Sequence, residues 1–277
     1  MRKSSVITLL FTILIGSSCS KTNPEIRSTP DATLTPMPVR QTLMVFAAAS
    51  LTGAFQEIGQ DFEAANPGVQ VNFNFAGSQI LRTQLEQGAL ADVFASADHK
   101  NMDLVVSENL VAAGNVYDFV TNSLIVILPH GNPGNVTSLA VLAKPMLKIV
   151  LADASVPAGN YARQILTNMS QDTAFGLDFG KEVLANVVSN ETDVKQVVTK
   201  VELGEADAGI VYASDAVAAP ELITLPIPTQ FNIVARYPIA VLSKAPEPDR
   251  AAAFVEYITS PEGQYILKKW GFSEVDQ

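Results

Sequence analysis

The feature that most constrains the fold is a junction the chain builds repeatedly: a short apolar run ends on a small polar residue, and an amphipathic helix starts there. The first is Val45–Ser50, V-F-A-A-A-S. A continuous apolar run without polar alternation predicts a strand covered on both faces. Phe55, Ile58 and Phe62 follow at helical spacing, which puts Ser50 at the N-cap. Taken alone, such a serine need do no more than cap its helix. It does, however, bring a hydroxyl and several free backbone N–H groups to one point.

The junction returns at Val69–Gly77, which alternates like a strand and stops at Gly77-Ser78 before a helix carrying Ile80, Leu81, Leu85 and Leu90. Ala91–Ala97 makes a third strand, and Asp98 heads a helix with Met102, Leu104 and Val105. Strands alternating with helices predict an open, parallel α/β sheet whose ligands bind beyond the carboxyl ends of the strands. Val116–Pro129 is too long for one strand and is polar at Thr121-Asn122-Ser123, so it reads as a crossover into a second domain.

In that second domain Lys148–Ala152 is a buried strand running into D-A-S-V-P-A-G-N-Y. Pro157 suits a first helical turn and leaves the amides of Ala158 and Gly159 free. Asn186–Ser189 reads as a strand, and Thr192 or Asp193 caps a helix holding Val194, Val197, Val198, Val201 and Leu203. Ala208–Tyr212 is a strand that delivers Tyr212 to its carboxyl end. Its setting, G-E-A-D-A-G-I-V-Y-A-S-D, echoes G-A-L-A-D-V-F-A-S-A-D of the first half and suggests two domains of similar topology.

Pro220–Pro228 reads as a loop, Tyr237–Leu242 as a strand, and Asp249–Ile258 and Pro261–Trp270 as helices. The tail lacks strand partners of its own, so the chain is expected to return and complete the first domain. The expected plan is residues 41–122 and 230–277 in lobe 1 and 123–229 in an inserted lobe 2. The crossings fall near Thr121–Leu124 and between Ala213 and Gln230.

At the start, Arg2 and Lys3 precede an apolar run, Val6–Ile15, too short to span a bilayer, so residues 1–18 read as an export signal. Gly16-Ser17-Ser18-Cys19 resembles a lipobox, with Gly16 where leucine is usual, and Cys19 would be lipidated. It is the only cysteine, so no internal disulfide can form. Residues 19–40, rich in Pro, Thr and Ser, read as a tether. Nothing from Gln41 onward could cross a membrane. Removing the signal takes the formal net charge from −10 to −12, which disfavours nucleic acid and anionic lipid surfaces as partners.

Enzyme chemistry finds little support. His99 and His130 are the only histidines, each read as a surface or capping residue, and no metal cluster is evident. Neither A-A-A-S-L-T nor A-G-S-Q-I is a nucleophile elbow, and no phosphate loop is present. What remains is four helix N-termini after strands, at Ser50, Ser78, Pro157 and Thr192. Such termini bind anions without a cationic side chain.

F-A-A-A-S-L, F-A-G-S, A-D-V-F-A-S-A-D, V-P-A-G-N-Y-A and G-I-V-Y-A-S-D-A, taken together, resemble the periplasmic molybdate-binding proteins of ABC importers, a type II periplasmic solute-binding family, over Leu43–Trp270. The resemblance implies two α/β lobes, two crossovers and a ligand in the cleft. It also implies that an oxyanion is held by the hydroxyls of Ser50, Ser78 and Tyr212 and the amides of Ala158 and Val194. Molybdenum would arrive only as the oxyanion, molybdate or tungstate, with no cofactor and no catalysis. The partners implied are the importer's membrane permease and, through Cys19, the membrane, for an exported monomer. Rivals are a sulfate or phosphate receptor on the same lobes and a porphobilinogen-deaminase-like transferase, which needs a cysteine inside the body. A ligand-sensing domain of a transcription regulator is disfavoured by the signal.

Overall fold

In the computed structural model, residues 41–112 and 114–275 are described. The expected signal, Cys19 and the tether lie outside the described residues.

The first sheet takes β1 (Gln41–Ala48), β2 (Val69–Ala76), β3 (Val93–Ala95), β4 (Val116–Asn122) and β10 (Ala235–Val241), in the order β2-β1-β3-β10-β4. The second takes β5 (Leu124–Leu128), β6 (Ile149–Ala152), β7 (Val187–Glu191), β8 (Ala208–Tyr212) and β9 (Ile223–Pro226), in the order β7-β6-β8-β5-β9. Each has three parallel strands, then two that are antiparallel to their neighbours. The helices of the first lobe are α1 (Thr52–Ala65), α2 (Ser78–Glu86), α3 (His99–Ser107), α8 (Pro248–Thr259) and α9 (Pro261–Lys269). Those of the second are α4 (Pro157–Ser170), α5 (Phe179–Ala185), α6 (Val194–Glu202) and α7 (Ala213–Ala218). No described helix is long and apolar enough to cross a membrane.

The sequence echo has a physical cause. In each lobe an Ala-Asp pair opens the third parallel strand, and the aspartate staples itself to the first. Asp92 donates its N–H to the Met44 carbonyl (2.8 Å) and accepts the Met44 N–H on Oδ2 (2.7 Å). Asp207 does the same with Lys148, at 2.7 and 2.8 Å. The charged acceptor makes the bond to each carboxylate about twice as strong as a neutral one.

Packing follows the apolar periodicity. Phe55 of α1 is fully buried and meets Phe73, Phe119 and Phe254, a burial that stabilises the lobe by about 1.5–3 kcal/mol. On the opposite face of the sheet Phe46, Leu81, Phe94, Met102 and Val105 form a second cluster. Asp98 caps α3, its Oδ1 accepting the Asn101 N–H at 3.0 Å. Asp193, one of the two candidates, caps α6, accepting from Gln196 at 3.1 Å.

Two readings need correction. Ser50 is not an N-cap: it lies inside a 3-10 turn, Ala49–Leu51, and Leu51 precedes α1 without a side-chain cap. Pro220–Pro228 is not all loop, because 223–226 forms β9 against β5. As an edge strand it needs donors on one side only, so Pro226 is tolerated.

The chain passes between sheets at Ser123 and again over 227–234. There the Asn232 side chain holds both polar groups of Leu124, accepting its N–H at 3.1 Å and donating to its carbonyl at 2.8 Å.

Candidate functional site

The carboxyl ends of the parallel strands in the two sheets face each other across a small cavity of ≈ 10 Å3, about the least that holds a single water. Ser50, Ser78, Ala158, Val194 and Tyr212, the five residues singled out from the sequence, all line it, together with Ala97, Val156 and Pro157. The first two come from the first lobe and the other three from the second.

Each donor is presented by local geometry. Ser78 is the first residue of α2, after Gly77. Its Oγ accepts the buried N–H of Ala97 at 3.0 Å, so an oxygen lone pair is occupied from behind and the hydroxyl proton is free to point forward. Ser50, 5 % exposed, shares a 2.9 Å hydrogen bond with the hydroxyl of Tyr237. Pro157 and Ala158 open α4, and Val194 opens α6. The first N–H groups of a helix have no partner within it, so the Ala158 and Val194 amides are available to a guest. Gly159 permits that placement, since a Cβ there would lie 2.1 Å from the Asp153 carbonyl oxygen.

Tyr212 ends β8 with its hydroxyl buried and without a hydrogen-bond partner, beside the Tyr237 ring at 5.7 Å. An orphaned buried hydroxyl costs about 1–3 kcal/mol, which a guest's oxygen would recover. Burial pushes both phenols well above the ordinary tyrosine value, so they stay protonated.

Among the described residues no cationic side chain lines the cavity. Lys195, next to Val194, is engaged instead with the fully buried Asp215 at 3.0 Å. Burial lifts the Asp215 carboxyl above its usual range against the opposing pull of Lys195. The cleft is bridged directly: Gln79 Nε2 donates to the Thr192 carbonyl across it at 2.9 Å. Among the described residues no His, Cys, Asp and Glu group could hold a metal ion.

The sequence profile of bacterial extracellular solute-binding proteins matches residues 43–273. The chain belongs to that family. This solute-binding protein is 43% identical over 235 residues to a molybdate-binding protein, ModA, of Mycobacterium tuberculosis, covering 84% of this chain and 85% of the relative. Two solved structures share its fold. The periplasmic molybdate-binding protein of Azotobacter vinelandii has a TM-score of 0.74 at 21% identity, covering 85% of this chain and 100% of its own. The sulfate-binding protein SubI of Mycobacterium tuberculosis has a TM-score of 0.76 at 17% identity, covering 85% and 88%.

Sequence reasoning missed three polar residues that lie around the solute-binding protein's cavity without lining it. Tyr237 was assigned only to a strand; its contact with Ser50 joins residues 187 apart, which no local pattern announces. Asn122 was part of the polar break in a long apolar run, and it donates to Ser214 Oγ at 2.9 Å. Gln79 followed Ser78 in a quoted segment, but its bond to Thr192 spans the cleft.

Proposed function

We propose that this solute-binding protein holds one tetrahedral oxyanion, molybdate or the similarly sized tungstate, between its lobes and delivers it to the permease of an ABC importer. The protein is a transport receptor and not an enzyme. One observation carries the choice of chemistry: hydroxyls and helix-terminal amides from both lobes converge on a cavity that has no side-chain charge. A dianion held by these five donors at about 1.5–3 kcal/mol each gains on the order of 10 kcal/mol, a micromolar to nanomolar affinity. The 43% identity to a molybdate-binding relative supports molybdate over sulfate. Fold alone does not, because molybdate-binding and sulfate-binding proteins share it at TM-scores of 0.74 and 0.76.

The site proposed is Ser50, Ser78 and Tyr212 through their hydroxyls and Ala158 and Val194 through their amides. Lobe 1 is residues 41–122 and 230–277, and lobe 2 is 123–229. We further propose export, removal of residues 1–18, lipid anchoring at Cys19, and action as an anchored monomer outside the cytoplasm. An unmodified Cys19 in membrane-extracted protein, read by mass spectrometry, would refute the anchor.

Size decides selectivity in a site of neutral donors. Sulfate carries the same charge, yet it is too small to reach every donor at about 2.8 Å, and each donor left unsatisfied costs about 1–3 kcal/mol. Titration calorimetry is expected to give molybdate and tungstate similar affinities and sulfate one about two orders of magnitude weaker. Equal binding of sulfate and molybdate would reject this reading.

A further inference from the structure

The two serines of the cavity are supported from behind by different groups. Ser78 is backed by the Ala97 N–H at 3.0 Å, which can only donate. Ser50 is backed by the Tyr237 hydroxyl at 2.9 Å, which can donate or accept. Tyr237 itself is fully buried and does not line the cavity, so it touches a guest only through Ser50.

Resting on the oxyanion reading, we propose that Tyr237 is a positioning residue of the site: it donates its phenolic proton to Ser50 Oγ, which obliges Ser50 to aim its own proton at the bound anion. The direction follows from donor accounting. A fully deprotonated oxyanion offers only lone pairs, so Ser50 must donate to it. Its oxygen is then open to a donor from behind, and Tyr237 is the group in place. With that bond reversed, Ser50 would present a lone pair to an anion.

Tyr237 lies on β10, the strand on which the chain re-enters the first sheet. Ser50 is therefore steadied from that return strand, whereas Ser78 is steadied from the turn beyond β3.

The test is a double-mutant cycle read by titration with sodium molybdate, on wild type, Y237F, S50A and the S50A/Y237F pair, with unfolding of each apo protein measured in parallel. Y237F is expected to bind molybdate about tenfold more weakly than wild type. In the S50A background the same change is expected to cost less than about twofold, because Tyr237 acts only through Ser50. Apo stability, in contrast, shifts by the same amount in either background if Tyr237 has only a packing role. Wild-type affinity in Y237F, or an equal loss in both backgrounds, overturns the assignment while leaving the oxyanion reading intact. Failure of wild type itself to bind molybdate overturns that reading first. Should Y237F lack a cooperative apo transition, S50A alone decides: it is expected to bind molybdate at least tenfold more weakly than wild type, and unchanged affinity would overturn the proposal.

Discussion

The two lobes share a sheet plan and an aspartate staple, yet they end their third parallel strand differently. In the first lobe β3 is three residues long, and the chain beyond it supplies the Ala97 amide that backs Ser78. In the second, β8 is five residues long and carries Tyr212 itself to the cavity. In the proposed site the first lobe offers side-chain hydroxyls steadied by buried partners, and the second offers backbone amides aimed by helix starts plus one phenol. On that reading one architecture can load an anion site with side chains or with main chain. The two choices respond to different substitutions.

The largest contrast is expected between two glycines. At Gly159 of the second lobe, a Cβ would sit 2.1 and 2.3 Å from the carbonyl oxygens of Asp153 and Ala152. Gly159→Ala should therefore cost about 3 kcal/mol or more of stability, read by chemical denaturation without ligand. At Gly77 of the first lobe, a Cβ would instead meet the Thr192 carbonyl oxygen, across the cleft, and the Gln79 side chain, each at 2.6 Å. Gly77→Ala should leave apo stability within about 1 kcal/mol, since the new group obstructs closure and not the fold. A stability loss at Gly77 equal to that at Gly159 would break the contrast.

Next in size is Ser78→Ala. It deletes a donor to a charged guest, about 1.5–3 kcal/mol of molybdate binding by calorimetry, and strands the buried Ala97 N–H for a further 1–3 kcal/mol or so of stability. Val194→Pro is the main-chain counterpart. It removes an N–H at the first position of α6, where proline is accommodated, so binding should fall by about the same 1.5–3 kcal/mol with little change in apo stability. If the proline variant binds molybdate as wild type does, the Val194 amide is not a donor.

The smallest expected effect is that of pH. Burial raises the Tyr212 and Tyr237 phenols well above 10. A raised pKa preserves the protonated donor throughout the range below it, and the donor is lost only as pH rises past the folded value. Among the described residues no histidine or cationic side chain lines the cavity. Molybdate affinity should therefore be flat from about pH 6 to pH 9. A tenfold change per pH unit in that window would expose a titrating group and undo the neutral-donor account.

The sheet plan was legible because its signals are local. The segments ending at Ser78, Pro157 and Asp193 carry their own helix starts, Asp193 with a side-chain cap, and the Ala-Asp echo marks a staple that needs only adjacent strands. Residues brought together from distant segments were not legible. Ser50 looked like a cap because its local sequence allows one, but the backbone winds a 3-10 turn there and the hydroxyl turns to Tyr237. β9 was concealed by Pro226 and Pro228, since proline argues against a strand unless it is known to lie at an edge, and edges are a property of the assembled sheet. Leu90 and Leu203 fitted helical spacing but follow the last turns of α2 and α6, and they are 67% and 69% exposed.

The lacing of Asn232 to Leu124 has a mechanical consequence. A single strap between two rigid bodies is a universal joint, free to bend and to twist. Two straps side by side, with one gripping both the N–H and the carbonyl of the other, behave as an axle. Swinging about that axle leaves the lacing whole, whereas shearing or twisting one lobe on the other must tear it. A cleft hinged on that axle would open like a door, and on each return the amides of Ala158 and Val194 would meet Ser50 and Ser78 in the same register.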